Sequence, residues 1–472
     1  MAAAGLGPMP PAVPGAPRQS GSVTLVATLG AVAARPPGPA GLPLVGNTLQ
    51  LARDPLRFLA ACARRYGEAV FLRVRGLDVF MLVDPDLVES VLVGQHRAFT
   101  VDRLSRGLAD ALGNSLLVSE GAYWERQRRL VQPALQRGRI REYAATTVEL
   151  TRRLVATWRH GQTVDVYGSM MDLALDIVTR TLLGHDVSGE AAALHRHLDR
   201  LMDHVLGIAN SGVRLPLRVP TPGNRAASRA LQSFDRLIYA IIGRRRAAGD
   251  DADDLVGLLV GARDEDGGRM SDRQIRDELL TMLLVGHETS ALALTYAFWL
   301  LGTHPEALAR VSAEVDAVLG KRAAAFDDVG RLRYTEHVFK EALRLYPPVW
   351  AMGREALHDC DVGGYPVRKG AQVLLSPWVS HRNPRFFAAP DAFRPERWDD
   401  QAGADLPPFA YFPFGGGPRT CLGSRYATME CVLILATVVQ RFAFRAERGR
   451  LALLPTVTLR PRHPVRLTLA AR

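Results

Sequence analysis

The residues of this chain best suited to chemistry lie in one stretch, Phe414-Gly415-Gly416-Gly417-Pro418-Arg419-Thr420-Cys421-Leu422-Gly423. Its cysteine, Cys421, follows a glycine-rich bend and precedes an apolar run, Ser424–Val439, with a helical pattern. A thiol where a loop turns into a helix faces unpaired backbone N–H groups and the positive end of the helix dipole, which favour the thiolate. Such a thiolate could attack a substrate, coordinate zinc or ligate iron, and this stretch alone leaves all three uses open.

A polar island interrupts the longest predicted helix, which begins with a capping box at Ser271 and ends near Leu301. The island is Gly286-His287-Glu288-Thr289-Ser290, and the residues around it are almost wholly apolar. Burying a carboxylate and a hydroxyl in such a helix costs free energy unless they have a partner or a function. In the structural interpretation, Thr289 bonds back to a carbonyl and Glu288 reaches a water or an arginine. In the functional interpretation, the two side chains take part in a reaction.

Charged residues recur at helical spacing in two further stretches. Glu341 and Arg344, three residues apart, share a helix face, and Arg397 could complete a Glu–Arg–Arg network with them. Trp124 and Arg128, four residues apart, would present an indole N–H and a guanidinium to a carboxylate. Taken singly, these patterns are also typical of an ordinary surface pair and of a basic helix face.

Taken together, the patterns resemble the cytochrome P-450 family of haem-thiolate monooxygenases over nearly the whole ordered chain. The family's haem-loop pattern F-x-x-G-x-R-x-C-x-G is matched at Phe414, Gly417, Arg419, Cys421 and Gly423. Its E-x-x-R motif is matched at Glu341 and Arg344, and the arginine that follows it at Arg397. Its W-x-x-x-R motif is matched at Trp124 and Arg128. Its oxygen-activating segment is similar to Val285–Ser290. One departure is Val285, where the family usually has Ala or Gly.

The resemblance implies a mainly α fold, a large helical domain with small β-sheets. Haem would lie between the long core helix and the cysteine loop with its following helix. We expect a single domain over residues 36–472, after a flexible tail rich in Ala, Gly and Pro at residues 1–35. Residue patterns add a helix at Pro55–Tyr66, strands at Ala69–Val74 and Val79–Val83, and a proline-rich loop at Leu215–Gly223.

The resemblance also assigns roles to the site residues. Cys421 would be the axial thiolate on the iron of haem b, with Phe414 packed against the sulfur and with Gly417 and Gly423 allowing the backbone to approach the haem. The anionic haem propionates would be held by Arg419, Trp124, Arg128 and Arg354. On the opposite face, Thr289 would hydrogen-bond oxygen, and Glu288 with ordered water would deliver protons. A structural network that locks the haem-side loop would consist of Glu341, Arg344 and Arg397.

These roles predict a monooxygenase that inserts one atom of O2 into an apolar small molecule. The pocket candidates are mainly aliphatic, which favours a terpenoid, a carotenoid or a fatty acid: Leu104, Leu108, Leu112, Leu116, Leu117, Leu283, Val285, Val349, Trp350 and Leu454. Arg103 or Arg106 could bind a fatty-acid carboxylate, although loop arginines are more often solvated. The alternatives are a haem-thiolate peroxygenase or isomerase, whose relatives usually lack the acid–threonine pair present here, and a non-catalytic haem-binding protein.

Composition sets the remaining expectations. The net charge is +11, but the arginines are spread along the chain without the basic stripe typical of nucleic-acid binding, so we expect no nucleic-acid partner. We expect no flavin or iron–sulfur segment after the haem loop. A separate ferredoxin and ferredoxin reductase would therefore supply electrons from NAD(P)H. Four dispersed cysteines indicate a reducing cytoplasm, no stretch is typical of a transmembrane anchor, and we expect a monomer.

Overall fold

A computed structural model of the chain describes residues 35–182, 219–248, 255–399, 406–447 and 449–472, together with positions 184, 197, 201 and 217. The chain divides into two units, residues 1–34 and 35–472, and all described residues belong to the second. The flexibility expected of residues 1–35 stays a prediction. Much of the loop predicted at Leu215–Gly223 lies outside the described residues, and a helix begins within it at Pro222.

Helices make up most of the described chain. In chain order they are α1 Thr48–Arg53, α2 Pro55–Tyr66, α3 Pro85–Glu89, α4 Arg103–Arg106, α5 Ala109–Leu112, α6 Gly121–Val131, α7 Arg137–Ala156, α8 Val166–Leu182, α9 Pro222–Ala248, α10 Leu255–Gly261, α11 Asp272–Thr303, α12 Pro305–Leu319, α13 Arg333–Leu345, α14 Pro377–Ser380 and α15 Ser424–Arg441. Short 3-10 turns connect several of them, among them Pro395–Trp398 and Gly417–Arg419.

The strands are short. In chain order they are β1 Ala69–Val74, β2 Leu77–Leu82, β3 Phe99–Val101, β4 Thr163–Asp165, β5 Met352–Ala356, β6 Cys360–Val362, β7 Tyr365–Val367, β8 Gln372–Leu375, β9 Phe442–Ala446, β10 Leu453–Pro455, β11 Leu459–Pro461 and β12 Arg466–Ala471. One sheet has the order β1-β2-β8-β5-β3, another the order β4-β12-β9, and β6–β7 and β10–β11 form two-stranded hairpins. β2 and β8 pair in parallel, with Val79 opposite Gln372, and the other pairs are antiparallel.

The core helix, α11, begins as its sequence predicts. The Ser271 hydroxyl accepts a hydrogen bond from the Gln274 backbone at 3.3 Å, and the Gln274 side chain accepts one from the Ser271 backbone at 2.8 Å. This capping box satisfies N–H groups that lack a partner within the helix. Most side chains between Leu279 and Leu301 are buried, because α8, α9, α13 and α15 pack around this helix.

Local patterns predicted several boundaries well. The helix at Pro55–Tyr66 and the strand at Ala69–Val74 have the predicted ends. The second strand runs from Leu77 to Leu82, earlier than predicted, because a tight turn lets Leu77 pair with Val74. The mainly α fold with small sheets is confirmed. Among the described residues, we find no helix that combines the length and the apolar character needed to cross a bilayer.

Candidate active site

The cysteine loop is held by its own backbone. The Cys421 N–H donates to the Phe414 carbonyl at 2.9 Å, and the Gly415 N–H donates to the Phe412 carbonyl at 3.0 Å. Gly423 then caps α15, which starts at Ser424. The Cys421 thiol remains accessible, although protein atoms surround it on most sides, as expected of a group that lines an internal space.

The ionisation of Cys421 corrects one expectation. Desolvation raises the pKa of the Cys421 thiol, although the Gly423 N–H and the nearby charge of Arg128 both act to lower it. The expected backbone stabilisation is therefore present, but burial outweighs it. A metal ion bound to the sulfur would reverse this balance, since a coordinated thiol loses its proton outright.

Close backbone packing explains one glycine of the loop. Gly417 has a φ of +64°, and a Cβ there would lie 1.9 Å from the carbonyl oxygen of Leu92. One close approach at Gly417 is therefore to the Leu92 backbone, and its expected contact with the haem stays a prediction. A Cβ on Gly423 would lie 3.9 Å from the Cys421 sulfur, which is ordinary contact. The half-buried ring of Phe414 packs against the main core, and its contact with the sulfur stays a prediction.

Cationic side chains surround the loop. Both terminal nitrogens of Arg128 donate to the Thr420 carbonyl at 3.1 Å. The guanidinium carbons of Arg419 and Arg128 lie 4.5 and 5.5 Å from the ring centroid of Trp124, so α6 and the loop share one cluster. Arg354 on β5 donates to the Gly353 carbonyl at 2.8 Å.

Burial, and to a smaller extent mutual repulsion, disfavours the charges of this cluster. The pKa of Arg354 is lowered, first by desolvation and then by the charge of Arg419. The pKa of Arg419 is lowered by desolvation and by Arg128, although Glu120 opposes this through a 2.6 Å ion pair. Desolvation also lowers the pKa of Arg128. A bound anion would relieve this crowding, as the predicted contacts with carboxylates require.

The structure brings the predicted Glu–Arg–Arg network together. Arg344 donates to both oxygens of Glu341, at 2.8 and 2.9 Å, and neither side chain has any solvent exposure. The Nε of Arg397 donates to Glu341 at 3.1 Å. Two further donors to Glu341 are the Trp398 indole and the Arg394 backbone, both at 3.0 Å. Trp398 follows Arg397 directly in sequence, and that adjacency was the available signal for it.

A buried histidine connects this network to the cysteine loop. The carbonyl of His381 accepts from Arg344 at 2.9 Å, and its ring Nε2 accepts from the Phe412 backbone at 2.9 Å. Burial holds the pKa of His381 well below its ordinary value, so the ring stays neutral and can accept this bond. The sequence did not reveal His381, because it belongs to none of the motifs and lies 31 residues from Phe412.

Between Leu279 and Leu301 the core helix is most accessible at Val285. Val285 is 40% exposed and Thr289 is half-buried, whereas Leu284 and Ala291 are buried. Val285 and Thr289 are one turn apart and share a face, and the Thr289 hydroxyl donates to the Val285 carbonyl at 2.8 Å. A Cβ on Gly286 would lie 3.4 Å from Val178 of α8, so this glycine also permits close helix packing.

Glu288 is bound to a distant hairpin. Its carboxylate accepts from Arg460 and from the Thr458 hydroxyl, at 2.5 and 2.9 Å, and Glu288 is 2% exposed. Both observed contacts agree with the structural interpretation of the island, in which Thr289 bonds back to a carbonyl and Glu288 reaches an arginine. Whether Glu288 also delivers protons stays a prediction.

A second buried carboxyl group links the two helices that flank the site. The Ser290 hydroxyl on α11 donates to Glu430 on α15 at 2.6 Å, and Tyr426 also hydrogen-bonds Glu430. Desolvation raises the pKa of Glu430 to about 7. Thr181 on α8 extends the cluster through a 3.1 Å hydrogen bond with the Tyr426 hydroxyl. The helical pattern of this stretch gave no reason to single out Glu430.

Comparison with known proteins identifies the family. The sequence profile of the family described as Cytochrome P450 matches residues 36–468. Cyclooctatin synthase of Streptomyces melanosporofaciens is 38% identical over 433 residues, 91% of this chain and 93% of that protein. Cyclooctat-9-en-7-ol 5-monooxygenase of the same species is 34% identical (87% of this chain, 90% of that protein), and pentalenene oxygenase of Streptomyces avermitilis is 31% identical (91% and 96%).

The chain belongs to the cytochrome P450 family.

Solved structures agree with this assignment. The cytochrome P450DA heme domain superposes with a TM-score of 0.85 at 30% identity, covering 93% of this chain and 98% of that one. A retinoic acid-bound cyanobacterial CYP120A1 superposes with a TM-score of 0.82 at 26% identity, covering 93% and 99%. The protein is thus a cytochrome P450 monooxygenase whose cofactor is haem with a cysteine thiolate ligand, and O2 and a redox partner are its co-reactants.

The residues of this P450 fit the cofactor. Cys421 offers an accessible sulfur at the end of a braced loop, and Arg128, Arg419 and Arg354 form a cationic cluster that suits two propionates. The accessible Val285 and Thr289 face supplies the open space that an otherwise close-packed helix would lack.

The pocket candidates separate by exposure. Leu104, Leu117, Val285 and Leu454 are 36–52% exposed and can contact a ligand. The half-buried candidates are Leu108, Leu116, Val349 and Trp350. Two were wrong, because they are buried in the main core: Leu112 and Leu283.

Two contacts near the pocket were not expected. Arg103 and Arg106 both bind Glu355, at 2.9 and 2.7 Å, so their charges are already paired within the protein, and binding of a substrate carboxylate by either stays a prediction. The Leu116 N–H donates to both oxygens of Glu278 at 3.1 Å, which fastens this stretch to the core helix. Desolvation raises the pKa of Glu278 to about 8.

Proposed function

We propose that this P450 inserts one oxygen atom of O2 into a terpenoid and that Cys421 is the axial ligand. The observation that carries the proposal is the accessible Cys421 sulfur in a backbone-braced loop beside Arg128, Arg419 and Arg354. Haem, when bound, supplies the activation of O2, which a thiolate ligand favours.

The cationic cluster would hold the cofactor by its propionates. Arg354 and Arg128 each bond a backbone carbonyl, and a guanidinium has five N–H donors, so each has further donors for an anion. Trp124 would add its indole N–H, and Arg419 would share its charge between Glu120 and a propionate. The Glu341–Arg344–Arg397 network would hold the cysteine loop against α13, because His381 bonds both Arg344 and the Phe412 backbone.

Thr289 would hydrogen-bond oxygen, and Glu288 would deliver protons. The Thr289 O–H donates to the Val285 carbonyl, so the lone pairs of its hydroxyl can still accept a hydrogen bond from a group in the pocket. Glu288 would pass protons through ordered water, and Arg460 keeps its carboxylate in place one residue before Thr289.

An uncharged, largely hydrocarbon substrate fits the structure better than a fatty acid. The accessible candidates Leu104, Leu117, Val285 and Leu454 are aliphatic, while Arg103 and Arg106 are occupied by Glu355. The relatives named for a substrate act, by those names, on an alkenol and on pentalenene, an alkene. Both observations favour a terpenoid.

The substrate and ligand proposals are tested on purified, haem-loaded protein. Cyclic terpenoid alkenes and alcohols should shift the haem spectrum to high spin, whereas long-chain fatty acids should not. A shift produced by fatty acids alone would reject the terpenoid. The reduced, CO-bound protein should show the red-shifted thiolate band, and Cys421→Ser should abolish it. Absence of that band from the unaltered protein would reject Cys421 as the ligand.

Electrons would come from a ferredoxin and its NAD(P)H-dependent reductase, with the P450 acting as a cytoplasmic monomer. The net charge is +11, and Arg425, in the first turn of α15 after Cys421, is exposed. Reduction by an acidic ferredoxin should slow at high salt and in Arg425→Glu, while Arg466→Glu on distant β12 serves as the matched control. Rates that do not depend on salt would contradict electrostatic docking. Analytical ultracentrifugation and cell fractionation test the monomer and the compartment.

A further inference from the structure

An exposed apolar cluster lies near the start of the described chain. It consists of four side chains within eight consecutive residues, with exposures of 51, 100, 40 and 59%: Leu42, Leu44, Val45 and Leu49. Single exposed hydrophobic residues are normal, whereas a contiguous group marks an interaction surface. We refer to these four side chains as the leucine knuckle.

The leucine knuckle is built on a fastened turn. Leu42 and Gly46 exchange two backbone hydrogen bonds of 2.9 Å, which close a tight loop around Leu44. Asn47, which is 1% exposed, donates its N–H to the Arg73 carbonyl at 2.6 Å and accepts from the Arg73 N–H at 2.9 Å. The leucines therefore cannot turn inward without breaking the bonds that join the loop to β1.

The tip of the leucine knuckle is not explained by the stability of the fold. Leu44 has a φ of 66°, a left-handed conformation that costs free energy for a residue with a Cβ. Its side chain is fully exposed and so gains no burial in return. Contact with something outside the chain would provide the apolar burial that the fold does not give this leucine.

Exposed arginines lie close to this apolar surface. Residues 35–75 contain seven arginines and two carboxylate residues. Arg53 lies one turn after Leu49 on the same face of α1, and the backbones of Arg73 and Arg75 bond to Asn47 and Thr48 behind the loop. All three arginines are exposed. An apolar centre with a basic rim matches a membrane surface that carries anionic headgroups over acyl chains.

We propose that the leucine knuckle docks this P450 on the surface of a bilayer that contains anionic lipid. The leucines enter the upper acyl-chain region, and the arginines contact the phosphates. A second copy of the chain fits this surface less well, because two arginine rims would face and repel each other. The attachment is peripheral and compatible with a position on the cytoplasmic face of a membrane. It does not depend on the proposed substrate.

Vesicle flotation of the full-length, haem-loaded protein tests this proposal. The probes are vesicles of phosphatidylglycerol with phosphatidylcholine, and vesicles of phosphatidylcholine alone. The variants are Leu44→Ser with Leu49→Ser, Arg53→Gln with Arg73→Gln, and the control Leu357→Ser, which removes another exposed leucine (48%) outside the leucine knuckle. The CO-bound spectrum of each variant verifies that its haem site is intact.

We expect the unaltered protein to float with the anionic vesicles and Leu357→Ser to bind equally well. Loss of the two leucines should lower the partition constant by about tenfold or more. Loss of the two arginines should remove the preference for anionic lipid. The proposal is overturned if the unaltered protein does not float. Equal binding of the leucine variant overturns it in favour of another segment, such as residues 1–34. A dimer in solution that the leucine variant abolishes would overturn it in favour of self-association.

Discussion

Neutralising Glu341 should destabilise this P450 more than any surface charge change. Glu341 is fully buried and accepts hydrogen bonds from Arg344, Arg397, Trp398 and the Arg394 backbone. In Glu341→Gln one acceptor oxygen becomes an NH2 donor that faces other donors. The buried guanidinium of Arg344 also loses its counter-charge.

The magnitude follows from the burial of the pair. Removing one partner of a buried ion pair costs about 3–5 kcal/mol, because the other charge stays in a desolvated place. Glu336 lies on the same helix and pairs with Lys340 at 2.8 Å, but both side chains are more than a quarter exposed. An exposed pair contributes only about 0–1 kcal/mol, so Glu336→Gln is the matched control. Trp398→Phe removes a single hydrogen bond to Glu341 and should cost about 1.5–3 kcal/mol.

Urea unfolding of the haem-loaded variants, followed by haem absorbance and by far-UV circular dichroism, measures these differences. The unfolding midpoints should fall in the order Glu336→Gln, Trp398→Phe, Glu341→Gln. Haem should dissociate first from Glu341→Gln, because the network reaches the cysteine loop through His381. If Glu341→Gln unfolds at the same urea concentration as Glu336→Gln, the network does not stabilise the loop and the reasoning fails.

Four further outcomes are expected. Thr289→Ala should keep the haem but release more peroxide per NAD(P)H, and unchanged coupling would contradict its proposed hydrogen bond to oxygen. Glu288→Gln should lower stability by leaving Arg460 unpaired, and adding Arg460→Gln should restore stability but not turnover. Recovery of turnover in the double variant would make Glu288 purely structural. Burial raises the pKa of Glu278 from 4.5 to about 8, so between these values the folded state keeps a proton that the unfolded state has lost. The free energy of unfolding should therefore fall as the pH rises from 4.5 to about 8. Urea unfolding at several pH values measures this slope, which should be absent in Glu278→Gln. Arg354→Gln should weaken haem retention in transfer to apomyoglobin, whereas the exposed Arg368→Gln should not.

Local and motif-bearing features were predictable from the sequence. The capping box at Ser271 depends on two residues three positions apart, and the structure contains both of its hydrogen bonds. The Glu341–Arg344 pair is similarly local, since helical spacing places both side chains on one face. Arg397 could be offered as a third member from its charge alone, but only the family resemblance assigned it that place, because it lies 56 positions after Glu341.

What the sequence did not predict depends on long-range packing or on the balance of opposing effects. Arg460 lies 172 residues from Glu288, and no periodicity connects them. The sign of the Cys421 pKa shift follows from how completely the fold desolvates the sulfur, which a dipole argument from neighbouring residues does not include. The Gly417 constraint likewise comes from Leu92, on a segment more than three hundred residues earlier.

The Ser290–Glu430 hydrogen bond joins the core helix α11 directly to α15, the helix that follows Cys421. These two helices also pack on each other, so they are joined without an intervening pocket-lining segment and form one frame. The hairpin β10–β11 and the stretch around Leu116 attach to that frame through Glu288 and Glu278. Substitutions in those attached segments can change which molecule is admitted while the spacing between sulfur and threonine is preserved. One scaffold of this kind can thus acquire new substrates without rebuilding its chemistry.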